Sequence, residues 1–246
     1  MLSKSQIKSI KALHKSKFRN KEEKFIAEGA KVVDEFMNSN YTIIAIYGVD
    51  EWADNHINRS LNIIKVSAKE LQTISLLKTP NQVLAVVAYP EAVSLNYENN
   101  DLCLALDTIQ DPGNFGTIIR IADWFGIKKI ICSKETADAY NPKVVQATMG
   151  AITRVNIEYT DLAQWLTNLP VDVNVYGTLL DGDNMYETNL AKSGIIVVGN
   201  EGNGISAEVQ KAITHKIKIP SYAESMMESL NVAVATSIVC AEFRRP

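Results

Sequence analysis

From Leu102 onward, short apolar runs alternate with segments whose apolar residues recur at every third or fourth position. The short runs predict β-strands, because they are rich in Ile, Val and Leu and stop at polar or glycine-containing stretches. They lie at 102–106, 130–132, 173–179, 195–198 and 217–219. Strands that alternate with helices predict a parallel β-sheet with helices on its faces, and therefore an α/β domain.

Helices are predicted between and after these strands. The segment 107–116 is rich in turn-forming residues and is predicted as a loop, so that the next helix would span 117–125. Asn141-Pro142 predicts a second helix, because proline is favoured at the first helical position. A third is predicted at 230–243. Its small residues, which favour close packing against a loop or a second subunit, are Ala233, Ala235, Ser237 and Ala241.

The amino-terminal part of the chain shows a mixed pattern. The spacing of Ile7, Ile10 and Leu13 predicts an amphipathic helix, and Ser67 with Glu70 forms a capping box that predicts a later one. Strands are predicted at 41–47, 62–66 and 82–89. This pattern predicts a small α/β domain in front of the parallel sheet.

The boundary between the two patterns lies in a polar stretch. Residues 90–100 lack periodicity and end in Asn99-Asn100, which is typical of a linker. We therefore expect a first domain over 1–92, a linker over 93–100 and a second domain over 101–246.

The charge distribution restricts any binding of nucleic acid to a local patch, because the net charge over 246 residues is −3. In the first 24 residues, eight Lys and Arg are opposed only by Glu22 and Glu23. Two interpretations stay open: a solvated face of an amphipathic helix, or a surface that binds RNA phosphates in a salt-dependent way. The second makes four residues candidates for RNA binding: Lys15, Lys17, Arg19 and Lys21.

Cysteine and histidine usage points away from disulfides and metals. Cys103, Cys132 and Cys240 are far apart and have apolar neighbours, which predicts reduced core residues in a cytoplasmic protein. The three histidines are scattered, so no metal site is expected. No apolar run is long enough to span a bilayer, and the basic amino terminus lacks the apolar segment of a signal peptide.

Residues 199–204 read GNEGNG and follow directly on the apolar run 195–198. Loops at the carboxyl ends of parallel strands bind ligands, and glycines let a ligand approach the backbone. Glu201 is the only carboxylate in this loop. One alternative is a turn that caps a helix beginning near Ser206. Another is a dinucleotide site, but the glycine order differs from G-x-G-x-x-G and no acidic residue follows at the expected distance.

Three stretches together resemble the signature motifs of the SpoU (TrmH-like) family of RNA ribose 2′-O-methyltransferases, in the SPOUT class. The first, DPGNFGTIIRIADWFGI, contains Asn114 and Arg120, and the second, VVGNEGNGIS, contains Glu201. The third, IPSYAESMMESLNVAVATSIV, contains Ser229 and Asn231 and departs from the family pattern before this pair. The segment KFIAEGAKVVDEF near the amino terminus is similar to the start of an RNA-binding domain that often precedes this catalytic domain.

The resemblance implies a parallel sheet whose last segment is threaded into a deep trefoil knot. It also implies a homodimer in which the site is completed near the subunit interface. The methyl donor would be S-adenosyl-L-methionine, held mainly by backbone groups of the knotted loops. The corresponding cofactor-binding positions are Thr178, Leu179, Gly199, Asn200, Gly202, Ile219 and Leu230.

Five residues become candidates for catalysis of an in-line methyl transfer to a ribose hydroxyl. Arg120 would contact the hydroxyl or its phosphate, and would either promote loss of the proton or stabilise the developing alkoxide while phosphate or water takes the proton. Asn114 would orient Arg120 or the ribose, and Glu201 would pair with Arg120 or orient it. Ser229 and Asn231 would position the ribose and cap the last helix.

The expected substrate is structured RNA, and the accessory RNA domain favours ribosomal RNA over transfer RNA. A non-catalytic RNA-binding module of the same fold is a less favoured alternative, because Asn114, Arg120 and Glu201 are all present.

Overall fold

The computed structural model describes residues 1–56, 61–91, 97, 101–222 and 229–246. The chain divides into two compact units, Met1–Ala92 with Asp138–Thr153, and Val93–Ala137 with Arg154–Pro246. The segment Asp138–Thr153 was expected in the second domain but packs with the first unit. The linker expected at 93–100 lies outside the described residues except for Tyr97.

The secondary structure follows the predicted alternation of strands and helices. The strands are β1 (Lys24–Glu28), β2 (Ile43–Gly48), β3 (Ile63–Lys65), β4 (Val83–Ala88), β5 (Leu102–Leu106), β6 (Lys129–Ser133), β7 (Asn156–Thr160), β8 (Val175–Asn184), β9 (Gly194–Val198) and β10 (His215–Lys218). The helices are α1 (Lys4–Ala12), α2 (Ser16–Glu22), α3 (Ala30–Met37), α4 (Asp50–Asp54), α5 (Ala68–Ile74), α6 (Pro112–Trp124), α7 (Pro142–Thr148), α8 (Leu162–Thr167), α9 (Ala207–Gln210) and α10 (Val232–Phe243).

The first unit is built on a four-stranded mixed sheet in the order β1-β4-β2-β3. Strand β4 runs antiparallel to β1 and β2, whereas β2 and β3 are parallel. The capping box of α5 is confirmed, because Ser67 Oγ accepts from the Glu70 N–H and Glu70 Oε2 accepts from the Ser67 N–H. An aromatic cluster fills part of this unit, in which the ring centroids of Tyr140 and Phe25 lie 4.7 Å apart with the rings tilted by 33°.

The second unit contains a six-stranded sheet in the order β10-β8-β9-β5-β6-β7. Every pairing in it is parallel, which confirms the predicted parallel α/β sheet. The central strands β5 and β9 are buried along their whole length, as expected for apolar runs covered on both faces. The implied knot depends on the path of residues 219–231, of which 223–228 lie outside the described residues, and it stays a prediction.

Two element boundaries differ from the sequence prediction. Helix α6 begins at Pro112 rather than at residue 117, because Asp111 caps it through the Asn114 N–H at 2.7 Å and proline occupies its first position. Asn114 therefore lies in the first helical turn, not in a loop. Strand β8 was predicted to end before Asp181 but continues to Asn184, and its pairing with β10 shifts register between Gly177 and Asp183.

The three cysteines are free and buried, as the sequence predicted. Burial raises the pKa of Cys103 and of Cys240 to about 12, and raises the pKa of Cys132 well above its usual range. All three therefore remain neutral thiols at physiological pH. In the described part of the chain, no helix has the length and apolar character needed to cross a membrane.

Candidate active site

The carboxyl ends of three neighbouring strands bring the predicted regions to one edge of the sheet. Strand β9 lies between β5 and β8, with Leu106 opposite Val198 and Gly177 opposite Val197. The segments that follow these strands therefore begin side by side. Ligands bind at this edge in open parallel sheets.

A chain of side-chain hydrogen bonds joins the three sequence motifs. The Asn231 amide nitrogen donates to Asn114 Oδ1 at 3.0 Å, and the Asn114 amide nitrogen donates to Glu201 Oε1 at 3.0 Å. The three residues are up to 117 positions apart in sequence. The structure thus brings together three of the five residues proposed for catalysis.

Helix starts hold both asparagines in place. Asn231 is the N-cap of α10, and its Oδ1 accepts from the N–H groups of Ala233 and Val234 at 3.0 and 3.3 Å. With the oxygen used for capping, the amide nitrogen of Asn231 remains to bind Asn114. Helices α6 and α10 pack against each other, so the bond between the two asparagines joins neighbouring helix ends.

Residues 199–206, here called the Glu201 loop, fold back on themselves. Gly199 has no room for a side chain, because a Cβ there would lie 2.3 Å from the Gly204 carbonyl carbon. Gly202 differs, since the nearest atom to an added Cβ is Asn200 Oδ1 at 3.6 Å. Residues 201–204 are exposed. The loop therefore presents open backbone at Gly202 while Gly199 is required by close packing.

Arg120 stands apart from this chain of hydrogen bonds. It is exposed on α6, six residues or about 9 Å along the helix axis from Asn114. Within the described residues it has no hydrogen-bond or ion-pair partner, so the expected pairing with Glu201 is absent and Glu201 binds Asn114 instead.

The remaining predicted cofactor positions differ in what their side chains do. The Thr178 hydroxyl donates to the Val197 carbonyl at 3.0 Å, so it is already engaged within the sheet. Leu179 and Ile219 are half-buried, while Leu230 is exposed, as is the neighbouring catalytic candidate Ser229. These residues offer backbone groups and apolar surface rather than charged ligands.

One residue of the proposed RNA-binding patch is corrected by the structure. Lys15, Lys17 and Lys21 are exposed, but Arg19 is only 2% exposed. Its guanidinium binds Asp138 Oδ2 through Nη2 at 2.5 Å and the Leu13 carbonyl through Nη1 at 3.0 Å. Arg19 is therefore a core residue of the first unit, and the prediction that it binds RNA was wrong.

Sequence reasoning passed over Asp107, which follows directly on strand β5. It is 4% exposed, and its carboxylate accepts from the Ser206 N–H at 2.7 Å. The signal available in the sequence was an acidic residue at the end of a fully apolar run, where a buried charge has to find donors.

Comparison with known proteins places these features in a family. The family model "SpoU rRNA Methylase family" matches residues 101–241, and "MRM3-like substrate binding domain" matches residues 4–85. The chain is 31% identical over 242 residues to the Bacillus subtilis 23S rRNA guanosine 2′-O-methyltransferase RlmP, covering 97% of this chain and 96% of that protein.

Solved structures agree over the whole length. A TrmH-family protein from Porphyromonas gingivalis superposes with a TM-score of 0.90 at 37% identity, covering 99% of this chain and 98% of the other. An rRNA methyltransferase from Sinorhizobium meliloti with bound AdoMet gives 0.86 at 29% identity, covering 99% and 96%. The chain therefore belongs to the SpoU rRNA methylase family.

Proposed function

We propose that this chain transfers a methyl group from S-adenosylmethionine to the 2′-hydroxyl of a ribose in structured RNA, with ribosomal RNA as the substrate. The observation that carries the proposal is the hydrogen-bonded set of Asn231, Asn114 and Glu201 at the carboxyl edge of the sheet. Membership of the SpoU family and the full-length similarity to an rRNA 2′-O-methyltransferase support it.

The residues at this edge fit S-adenosylmethionine. Open backbone at Gly202, the half-buried side chain of Leu179 and the exposed side chain of Leu230 suit a ligand with an apolar base and several hydrogen-bonding groups. When bound there, the cofactor supplies a methyl group on a positively charged sulfur. The chain's own contribution is to hold the ribose hydroxyl in line with that group.

Three side chains would position the ribose and stabilise the charge that develops on its hydroxyl oxygen. Asn114 donates to Glu201 and accepts from Asn231, so it holds the Glu201 carboxylate in a fixed orientation. Glu201 Oε1 accepts from Asn114, which leaves its second oxygen exposed to accept a hydrogen bond from the ribose. Arg120 is a permanent cation that would stabilise the developing alkoxide or its phosphate, with phosphate or water accepting the proton.

RNA would be held by the first unit as well as by the site. Lys15, Lys17 and Lys21 are exposed on α2 or directly before it, and phosphate contacts of this kind give affinity without sequence readout. The match of residues 4–85 to a substrate-binding domain model supports a role of the first unit in binding RNA. The three free cysteines suit a reducing compartment such as the cytoplasm.

We infer further that the protein is a homodimer. Helix α10 has Glu242 as its single charged residue, yet Val234 on it is 50% exposed. Trp124, at the end of the neighbouring helix α6, is 84% exposed. A helix that is apolar all round is expected to be covered, and a second copy of the same surface would cover it symmetrically.

Methyl transfer to RNA tests the proposed function directly. Purified protein with tritium-labelled S-adenosylmethionine and total RNA is expected to label large ribosomal RNA, and the label should map to a ribose 2′-oxygen. Labelling confined to transfer RNA would show that transfer RNA, and not ribosomal RNA, is the substrate. The absence of label in any RNA fraction would leave a non-catalytic RNA-binding module as the better reading.

Arg120→Ala is expected to lower the rate by about 10²- to 10³-fold, because a charge aimed at the developing alkoxide is lost. The dissociation constant for S-adenosylmethionine, measured by calorimetry, should stay nearly unchanged. Lys128→Ala removes another exposed cation of the same unit and serves as the control, with activity retained. Full activity of Arg120→Ala would remove Arg120 from the mechanism.

A further inference from the structure

The side chain of Asn200 closes the Glu201 loop and also ties it to Thr108 outside the loop. Its Oδ1 accepts from the N–H groups of Gly202 and Asn203 at 2.9 and 3.0 Å, and its Nδ2 donates to the Thr108 carbonyl at 2.8 Å. Its backbone exchanges two hydrogen bonds of 2.9 Å with Gly204. One N–H of the side chain is left for any ligand. Asn200 stays a predicted cofactor-binding position, and its side chain in addition closes the loop.

Asp107 fastens both ends of the same loop. Its own N–H donates to the Val198 carbonyl at 2.9 Å, just before the loop, and its Oδ2 accepts from the Ser206 N–H at 2.7 Å, where the loop ends. Its Oδ1 accepts from the Thr108 hydroxyl at 3.1 Å. A carboxylate in a residue that is 4% exposed is costly to bury, and the Ser206 N–H and the Thr108 hydroxyl, which donate to it, offset that cost.

Thr108 completes the connection in an unfavourable backbone conformation. Its φ is +61°, which is uncommon for any residue with a β-branched side chain. The Ser133 hydroxyl accepts from the Thr108 N–H at 3.0 Å and fixes this turn. The turn directs the Thr108 carbonyl toward Asn200. Strain of this kind persists where surrounding contacts impose it, typically at functional sites.

These contacts connect Asp107 and Asn200 to the position of Glu201. We propose that Asp107 and Asn200 are positioning residues that hold the Glu201 loop at two points, so that Glu201 meets Asn114. They act through Glu201 and not through contact with cofactor or RNA. This inference rests on the proposed methyl transfer. It predicts that substitutions of the two residues lower kcat and leave the affinity for the cofactor unchanged.

Single variants test the assignment first. Asp107→Asn keeps the shape of the side chain but replaces one acceptor oxygen by a donor, and Asn200→Ala removes three hydrogen bonds. Both are expected to lower kcat by about 10- to 100-fold, as for a misplaced reacting group, while KM for S-adenosylmethionine changes little. A fall in cofactor affinity with kcat retained would overturn the proposal.

A matched control separates positioning from general stability. Asn184 is another asparagine of the second unit whose side chain closes a turn, accepting from the Tyr186 N–H and donating to Glu187. Asn184→Ala is expected to lower the melting temperature to a similar extent without affecting kcat. If Asp107→Asn does not fold, Asn200→Asp keeps the Oδ1 acceptor but replaces the donor to the Thr108 carbonyl by a carboxylate oxygen, which repels that carbonyl. That variant must then show the loss of kcat.

A double-mutant cycle tests whether both residues act through Glu201. Glu201→Ala removes the group that is positioned, so adding Asp107→Asn or Asn200→Ala should cause almost no further loss of kcat. A further loss of the same size as in the wild-type background would contradict action through Glu201.

A spectroscopic readout keeps this test independent of the proposed function. In ¹H–¹⁵N spectra, the side-chain amide of Asn114 should shift in Asp107→Asn in the same direction as in Glu201→Ala, since both lose the bond to Glu201. An unchanged Asn114 signal in Asp107→Asn would refute the positioning role, even in a protein that methylates nothing. Failure of the wild-type protein to methylate RNA would instead refute the proposed function and leave the signal test intact.

Discussion

At the scale of single residues, side-chain amides combine structural and functional contacts. Asn231 uses its oxygen to cap α10 and its nitrogen to bind Asn114, and Asn114 passes the contact on to Glu201. Each bond contributes only about 1 kcal/mol net to stability. The larger consequence is orientation, because neither amide can rotate without losing a partner.

The glycines of the Glu201 loop give a prediction at this scale. Gly199→Ala would place a Cβ against the Gly204 backbone and is expected to destabilise the fold by about 2 kcal/mol, seen in urea unfolding. Gly202→Ala meets no atom closer than 3.6 Å, so stability should hold while the affinity for S-adenosylmethionine falls. Unchanged cofactor affinity in Gly202→Ala would show that the cofactor does not approach this backbone.

At the scale of elements, helix starts decide which groups face the site. Helix α6 begins at Pro112, before the predicted start at residue 117, because Asp111 caps it and Pro112 occupies its first position. The stretch 107–116 contains so many turn formers that the sequence favoured a loop, although the same residue types also begin helices. The earlier start puts Asn114 on a rigid helical turn, where it can reach both Glu201 and Asn231.

The ion pair between Arg19 and Asp138 is expected to hold helix α2 in place. Arg19→Ala removes a buried guanidinium and leaves the half-buried carboxylate of Asp138 without its cation, and we expect a loss of about 3 kcal/mol in the free energy of unfolding. The neighbouring change Lys17→Ala removes an exposed charge and should cost less than about 0.5 kcal/mol. Equal stability of the two variants in urea titrations would show that the Arg19–Asp138 pair does not hold α2.

At the scale of the whole molecule, the exposed apolar face of α10 predicts assembly. Val234→Glu puts a charge on the proposed interface and is expected to convert dimers into monomers, measured by light scattering after size exclusion. Glutamate at this position in the first turn suits the helix dipole, so the helix itself should persist. Methyl transfer should fall with dimer content.

Val171→Glu provides the comparison, since Val171 is another exposed valine of the second unit but lies outside α6 and α10. It should leave the oligomeric state unchanged. A wild-type protein that is monomeric at all concentrations would contradict the proposed dimer.

The sequence by itself determined the parts of this protein that depend on neighbouring residues. The apolar runs predicted β5 and β9, Asn141-Pro142 predicted the start of α7, Asn231 was one of two predicted caps of α10, and the motif order indicated the family. These features are local, because strand burial and helix capping depend on residues only a few positions apart.

The tertiary structure alone decided which distant side chains meet. The lysine-rich pattern around Arg19 gave no sign that one of its cations is buried against Asp138, 119 positions away. Nor did any periodicity show that Asp107 would hold Ser206 or that Asn231 would bind Asn114. Such contacts follow from how strands and helices pack, because that packing decides which distant polar side chains come within hydrogen-bonding distance of each other.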